Sequence, residues 1–130
     1  MISKTGLHAI HAICALARTQ DGEWVGTRTL AEEIGAPKNY LGKLLQTLAR
    51  QGLVESQKGL GGGFRLALNA SSITLMDVVE RIDQVERWSQ CFLGLPQCSS
   101  DNPCAVHDKW GEMRDGYLSL LRNTSIADLL

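Results

Sequence analysis

Four side chains in the last third of the chain carry its most distinctive chemistry. Cys91, Cys98, Cys104 and His107 are spaced Cys-x6-Cys-x5-Cys-x2-His. Thiolates are soft ligands that suit zinc or iron–sulfur clusters. Structural zinc sites usually contain a Cys-x2–4-Cys knuckle, which this run lacks. Its wide gaps, in a stretch rich in turn residues, suit a larger object such as an iron–sulfur cluster. Three cysteines leave one coordination position, and His107, on the first turn of an expected helix, is placed to fill it. The plainer reading of His107 is a helix-surface imidazole beside Asp108. His8 and His11, three residues apart on the first expected helix, offer an alternative fourth ligand donated by a partner chain. Cys14 falls on the apolar side of that helix and reads as a small buried residue. In a reducing compartment a cysteine cluster favours metal over a disulfide framework. A zinc ion, or disulfide formation on oxidation, is the alternative use of the same residues.

A second group of residues has the chemistry to meet DNA. Lys38, Asn39, Gly42, Lys43, Gln46 and Thr47 share the outward side of one expected helix. Lysine reaches G O6/N7 or a phosphate, and asparagine pairs with adenine. Thr27 and Arg28, at the start of the preceding short helix, are placed to reach phosphates. Further on, Lys58 and Arg65 flank a glycine run that includes Gly61 and Gly62, and glycine allows close approach to a phosphate backbone. Each feature alone has a plain reading, as a solvated helix face or a flexible hairpin tip. Their order, and the five basic residues against one acidic over residues 34–65, favour nucleic acid. The glycine run lacks the G-x-G-x-x-G and G-K-[ST] spacings and no helix follows it, so it is neither a dinucleotide site nor a P-loop.

The elements that must position both groups follow from periodicity. Leu7, Ile10, Ile13, Cys14 and Leu16 recur at helical spacing over residues 5–19, with Asp21-Gly22 as the stop. Ala15-Leu16-Ala17 resembles a secretory cleavage site, but His8, His11 and the amphipathic pattern mark the segment as the first helix. Thr27 is expected to cap a short helix, Arg28–Ile34, closed by Gly35. Pro37 suits the first position of a second helix running to Gln51, with Tyr40, Leu41, Leu44, Leu45 and Leu48 as its apolar stripe. Leu53–Gln57 and Phe64–Leu68 read as the strands of a hairpin, and Asn69–Ser72 as a loop. Thr74 and Asp77 form a capping-box pattern for a helix to about Val85. After a turn-rich stretch, Gln90–Pro103, a longer helix is expected from about Ala105 to Leu121. Val106, Trp110, Met113, Tyr117, Leu120 and Leu121 form its apolar face, and Ser125 caps a last short turn. Helix, short helix, tight turn, helix and hairpin is the order of a winged helix-turn-helix.

The 130 residues, 44% hydrophobic and 21% charged, describe one folded domain rather than a disordered chain. Aromatics are 5%, so Leu, Ile, Val and Ala must build the core. The net charge of −1 hides an asymmetry: residues 1–65 carry eight basic and five acidic side chains, residues 66–130 five and nine. A polyanion would therefore be met by the first half. No run approaches the length of a membrane span, and the expected location is the cytoplasm. No catalytic constellation appears, so the chain reads as a nucleic-acid-binding protein and not an enzyme. A small iron–sulfur electron carrier is a remote alternative that would leave the basic wing without a purpose.

The chain resembles the Rrf2 family of bacterial winged-helix transcription regulators over nearly its whole length. The resemblance rests on Ser3-Lys4-Thr5-Gly6, Leu30-Ala31-Glu32-Glu33-Ile34, Lys38-Asn39-Tyr40-Leu41, Gly52-Leu53-Val54, Gly59-Leu60-Gly61-Gly62-Gly63-Phe64, the three-cysteine loop and Thr124–Leu130. It implies a mainly α fold, a winged helix-turn-helix with a two-stranded β-wing and a long C-terminal dimerisation helix. Residues 1–72 would form the DNA-binding region. Residues 73–130 would supply a helix, the cluster loop and the dimerisation helix of the same compact domain. It further implies a homodimer on a palindromic operator and a [2Fe–2S] or [4Fe–4S] cluster on Cys91, Cys98 and Cys104. The Cys-x2-His ending is similar to the cluster-biogenesis regulator branch, where that histidine is the fourth ligand, although the x6 first gap departs from the x5 common there. Other branches draw a ligand from the partner's first helix. Asn39 and Tyr40 match the family's base-contacting positions, and Lys58 matches a wing contact.

Overall fold

Helix α1, Lys4–Ala17, runs through the middle of the computed structural model, which describes residues 2–19 and 22–130. Ser3 caps it, its hydroxyl accepting from the Gly6 N–H at 3.0 Å. From Ala9 to Leu16 every side chain except His11 is buried. The small residues Ala9 and Ala12 let neighbouring elements come close, and the segments Thr27–Ile34, Lys38–Arg50, Gly63–Leu66, Leu75–Val79 and Ile126–Leu129 pack around this helix. The segment that resembled a leader is thus the centre of the core. The expected stop at Asp21 lies outside the described residues.

Helices α2, Thr27–Ile34, and α3, Lys38–Arg50, form the helix-turn-helix. Gly35 closes α2 in the left-handed region (φ 70°), its N–H bonded to the Ala31 carbonyl. Two cap positions differ from expectation by one residue. Gly26 is the N-cap of α2, so Thr27 is its first helical residue. Pro37 is the N-cap of α3, not the first helical residue, because its backbone is extended (ψ 136°) while its carbonyl receives the Leu41 N–H at 2.9 Å. Leu41, Leu44, Leu45 and Leu48 are buried as expected, whereas Tyr40 is only half-buried.

Strands β1, Val54–Gln57, and β2, Gly63–Leu66, pair antiparallel from Val54↔Leu66 to Gln57↔Gly63. Val25 bridges the other edge of β2, exchanging bonds of 2.9 and 2.8 Å with Phe64. The glycines at the strand start are required by this closure. A Cβ on Gly62 would sit 2.2 Å from the Gln57 carbonyl oxygen, and one on Gly63 (φ 145°) 2.2 Å from that of Val25. Gly63→Ala is therefore expected to detach Val25 from β2 and cost about 1–3 kcal/mol, read as a lower denaturant midpoint.

Helix α4, Leu75–Val79, opens with the expected capping box, Thr74 and Asp77 exchanging bonds of 2.9 and 3.1 Å. It stops six residues before Val85. The chain turns there because Asp83 is drawn onto the N-terminus of α1 and Gln84 takes a left-handed conformation (φ 50°). A 3-10 helix, Val85–Ser89, follows, and another, Ala70–Ser72, occupies the expected loop before α4.

Helix α5, His107–Asn123, begins and ends two residues later than expected. Of its apolar face, Leu121 is buried and Trp110 and Tyr117 are half-buried. Met113 is 70% exposed and Leu120 55%. The expected stripe is therefore not covered within one chain, because α5 meets the body through α4 and leaves its other side to solvent. Ser125 and Asp128 form a second capping box at the head of a 3-10 turn, Ile126–Leu129. The architecture is mainly helical with one two-stranded antiparallel sheet, as the sequence indicates. Among the described residues no helix is long and apolar enough to cross a membrane.

Candidate metal centre and nucleic-acid interface

The cysteine loop leaves the 3-10 helix at Ser89 and returns at the start of α5. It is tied mostly to itself. The Gly94 N–H bonds the Cys91 carbonyl (3.0 Å), the Cys98 N–H that of Leu95 (3.2 Å), and the His107 N–H that of Cys104 (3.1 Å). Ser99 and Asn102 exchange two further backbone bonds of 3.2 Å. One outward tie is the Trp110 Nε1–H, which donates to the Gln90 carbonyl at 3.0 Å. These turns bring the Sγ atoms of Cys91, Cys98 and Cys104 within 4.8 Å of one another. Cys91 and Cys104 are 3.8 Å apart, and His107 Nδ1 lies 3.3 Å from Cys98 Sγ.

The loop backbone also sets the charge on sulfur. The Leu95 N–H, working against partial burial and helped by the Leu93 N–H and the other two thiols, pulls the Cys91 pKa down to about 7. For Cys98 the Cys104 N–H pulls down, but burial and the adjoining Cys104 and Cys91 groups outweigh it and raise the pKa. Three converging sulfurs, one of them readily ionised, with an imidazole beside them, fit a thiophilic metal. The 3.8 Å edge equals that of a tetrahedron of sulfurs bound to one ion at about 2.3 Å. A cluster spreads its terminal ligands over more than one iron, so the same donors would have to spread around it. The self-contained bonding of the loop leaves them room to do so. The site opens into a cavity of about 330 Å³ that Trp110 and Arg114 also line. Both were missed as site residues, although they follow His107 by three and seven positions and so share its helix face.

His8 and His11 sit elsewhere in the chain. The half-buried His8 bonds the Tyr40 hydroxyl through Nδ1 at 3.1 Å. His11 is exposed on a cavity of about 440 Å³ that Cys14 shares. Burial pushes the Cys14 thiol up, as suits an inert core residue.

The second site is a groove of about 840 Å³ between the start of α2, the outer face of α3 and β2. Thr27, Lys38, Asn39, Gly42, Lys43, Gln46 and Thr47 line it, with Phe64 closing one wall. A Cβ on Gly42 would meet the Thr27 methyl at an ordinary 3.7 Å, so packing does not demand glycine there, and the missing side chain leaves space in the groove. Arg50 also lines it, its guanidinium donating to Thr47 Oγ1 at 3.2 Å. Arg50 was missed, although Lys43, Thr47 and Arg50 repeat at helical spacing.

The remaining expected contacts do not line this groove. Arg28 is exposed on the first turn of α2, and Lys58 and Gly61 are exposed on the wing, where Gly62 is half-buried. The Tyr40 hydroxyl turns back to α1, donating to Thr5 Oγ1 at 3.1 Å. Arg65 is held at the wing root. It pairs with Glu55 at 2.8 Å, donates to the Gly22 carbonyl at 3.3 Å and lies 4.1 Å above the Trp24 ring.

Residues 2–130 match the model of a family described as Rrf2, iron-dependent transcriptional regulator. A presumed HTH-type transcriptional regulator of Aquifex aeolicus (strain VF5) is 33% identical over 132 residues, covering all of this chain and 91% of that protein. The HTH-type transcriptional regulator IscR of Escherichia coli is 28% identical over 129 residues, 99% of this chain and 79% of that protein. Among solved structures, CymR (YrzC), the global cysteine regulator of B. subtilis, superposes with a TM-score of 0.80 at 23% identity, covering 99% and 95% of the two chains.

Proposed function

The chain belongs to the Rrf2 family of transcriptional regulators, and we propose that it binds a palindromic operator as a homodimer under the control of an iron–sulfur cluster. It is a regulator and not an enzyme. The observation that carries the proposal is the convergence of Cys91, Cys98 and Cys104 within 4.8 Å, with His107 beside Cys98, in a chain that also presents a basic groove. Cys91, Cys98 and Cys104 hold the cluster and His107 completes its ligands, with His8 or His11 of a second copy as the alternative. When bound, a [2Fe–2S] or [4Fe–4S] cluster supplies a centre responsive to redox state, iron or nitric oxide.

Residues 1–72 bind DNA in the bacterial cytoplasm. Lys38, Asn39 and Lys43 enter the major groove at the start of α3, where base edges are read. Thr27, Arg28, Thr47 and Arg50 meet phosphates, and Lys58 with Gly61 and Gly62 follows the backbone alongside. Arg65 stiffens the wing root instead of reaching out. Residues 73–130 carry the loop and the dimerisation helix, and the exposed Met113 and Leu120 of α5 become buried against the second copy.

A second reading has one zinc ion, or a disulfide formed on oxidation, in place of the cluster. It is favoured by the 3.8 Å between Cys91 and Cys104, the spacing of a single-ion site. Absorbance together with iron, sulfide and zinc content, measured on protein purified without air, separates the two. Visible charge-transfer bands with matched iron and sulfide support the cluster. A colourless protein that carries zinc, or that cannot be reconstituted, overturns it and leaves the thiol reading.

A further inference from the structure

An aromatic cluster on the cysteine loop, the short chain segment from Trp88 back to Asp83, and the hydrogen bonds of α1 together join that loop to the start of α3. The cluster begins at Trp110, three residues beyond His107, which holds the loop through Gln90 at 3.0 Å. Trp110 stacks on Trp88 (5.6 Å between centroids, 26° between planes), and Trp88 rests on Tyr117 at 4.7 Å. Phe92, next to Cys91, packs on Trp110 from the loop side at 5.4 Å. Burial of the half-buried Tyr117, with the Asp83 charge as the smaller cause, raises its pKa.

Asp83 belongs to none of the helices. Its carboxylate accepts the Ser3 N–H at 3.0 Å and the Ser3 hydroxyl, at the positive end of α1. Gly6 makes this approach possible, because a Cβ there would come within 2.8 Å of Asp83 Oδ2. The next residue, Gln84, holds a left-handed backbone (φ 50°) that side chains disfavour. The far side of the same helix end grips α3: the Tyr40 hydroxyl donates to Thr5 at 3.1 Å and bonds His8 at 3.1 Å, with the His8 and Tyr40 rings edge to face. The first turns of α1 therefore have the cysteine-loop segment on one side and the third residue of α3 on the other.

We propose that Asp83 is a positioning residue, a latch on α1 through which the state of the cysteine loop sets the placement of the α3 N-terminus. This rests on the regulatory reading above and adds the route to it. If the loop moved to hold a bound centre, Trp110 and Trp88 would move with it, and through Val85–Ser89 and Gln84 they would draw the Asp83 carboxylate on or off the α1 terminus. Gln84, held in the left-handed region that side chains disfavour, is the joint of that segment with the least to lose by changing. Because Tyr40 is fixed to Thr5 and His8, a movement of the α1 terminus is passed to Lys38 and Asn39.

The test is the ratio of DNA affinities between protein loaded anaerobically with Fe²⁺ and sulfide and the same protein stripped by a chelator. The DNA is a duplex selected by the wild-type protein from a random pool. The wild-type ratio is expected within the roughly 5- to 150-fold range of coupled sites. Asp83→Ala and, independently, Gly6→Ala should bring it to within about twofold, and Thr5→Val should do the same from the α3 side. Iron and sulfide uptake should be unchanged. A merely structural contact would weaken both states together and keep the ratio. That result in any folded variant of the three overturns the latch while the regulatory reading stands. A wild-type ratio of one overturns both.

Discussion

Replacing Cys104 with alanine is expected to abolish stable binding of iron and sulfide, or of zinc, while the chain stays folded. Cys104 Sγ is one of three sulfurs within 4.8 Å, and its backbone N–H also acts on Cys98. Loss of a supporting hydrogen bond around a metal site costs about 10- to 100-fold in affinity, and loss of a ligand costs more. The side chain is only half-buried on a self-bonded loop, so truncating it leaves no large core cavity. Cys14→Ala is the control. Cys14 is buried in α1, so its truncation should lower stability without lowering metal content. Metal analysis and thermal unfolding of the two variants check both statements.

Lys43→Glu is expected to remove operator binding at physiological salt. Lys43 is exposed in the groove, one turn into α3, and the substitution places like charge against the phosphates. Asn39→Ala should act differently, costing about 1–3 kcal/mol on the preferred sequence and less on others, as loss of a base contact does. Lys43→Ala should instead weaken all sequences and flatten the slope of log K against log salt by about one. Arg65→Ala is the informative comparison. With its guanidinium committed to Glu55, Gly22 and Trp24, its loss should alter wing stability by about 0–1 kcal/mol and leave the salt slope unchanged. Fluorescence anisotropy at several salt concentrations distinguishes these patterns.

Much of this was legible in the sequence because the controlling interactions are local. Gly35, the leucine stripe of α3 and the Thr74–Asp77 box each act within a few residues, and each appears where the pattern placed it. What was not legible depends on distant partners. The end of α4 is set by Asp83 meeting Ser3, eighty positions away. Tyr40 reads as part of an apolar stripe, but its hydroxyl is claimed by α1. Periodicity placed Trp110, Tyr117 and Leu121 on the side of α5 that packs, but could not say that Met113 and Leu120, of the same expected stripe, lie exposed. For the cysteines, residue type announced soft-metal chemistry. The 3.8 Å edge between Cys91 and Cys104 came only with the folded loop. The fate of Arg65 was within reach, since it lies opposite Glu55 once the hairpin register is fixed.

The account turns on whether occupancy of the cysteine centre changes DNA binding. The direct measurement is operator affinity by anisotropy for wild-type protein, first with iron and sulfide bound and then stripped, at one fixed salt concentration. The account predicts affinities that differ by at least about fivefold, with both forms still dimeric and folded. Equal affinities of the loaded and stripped protein would contradict it.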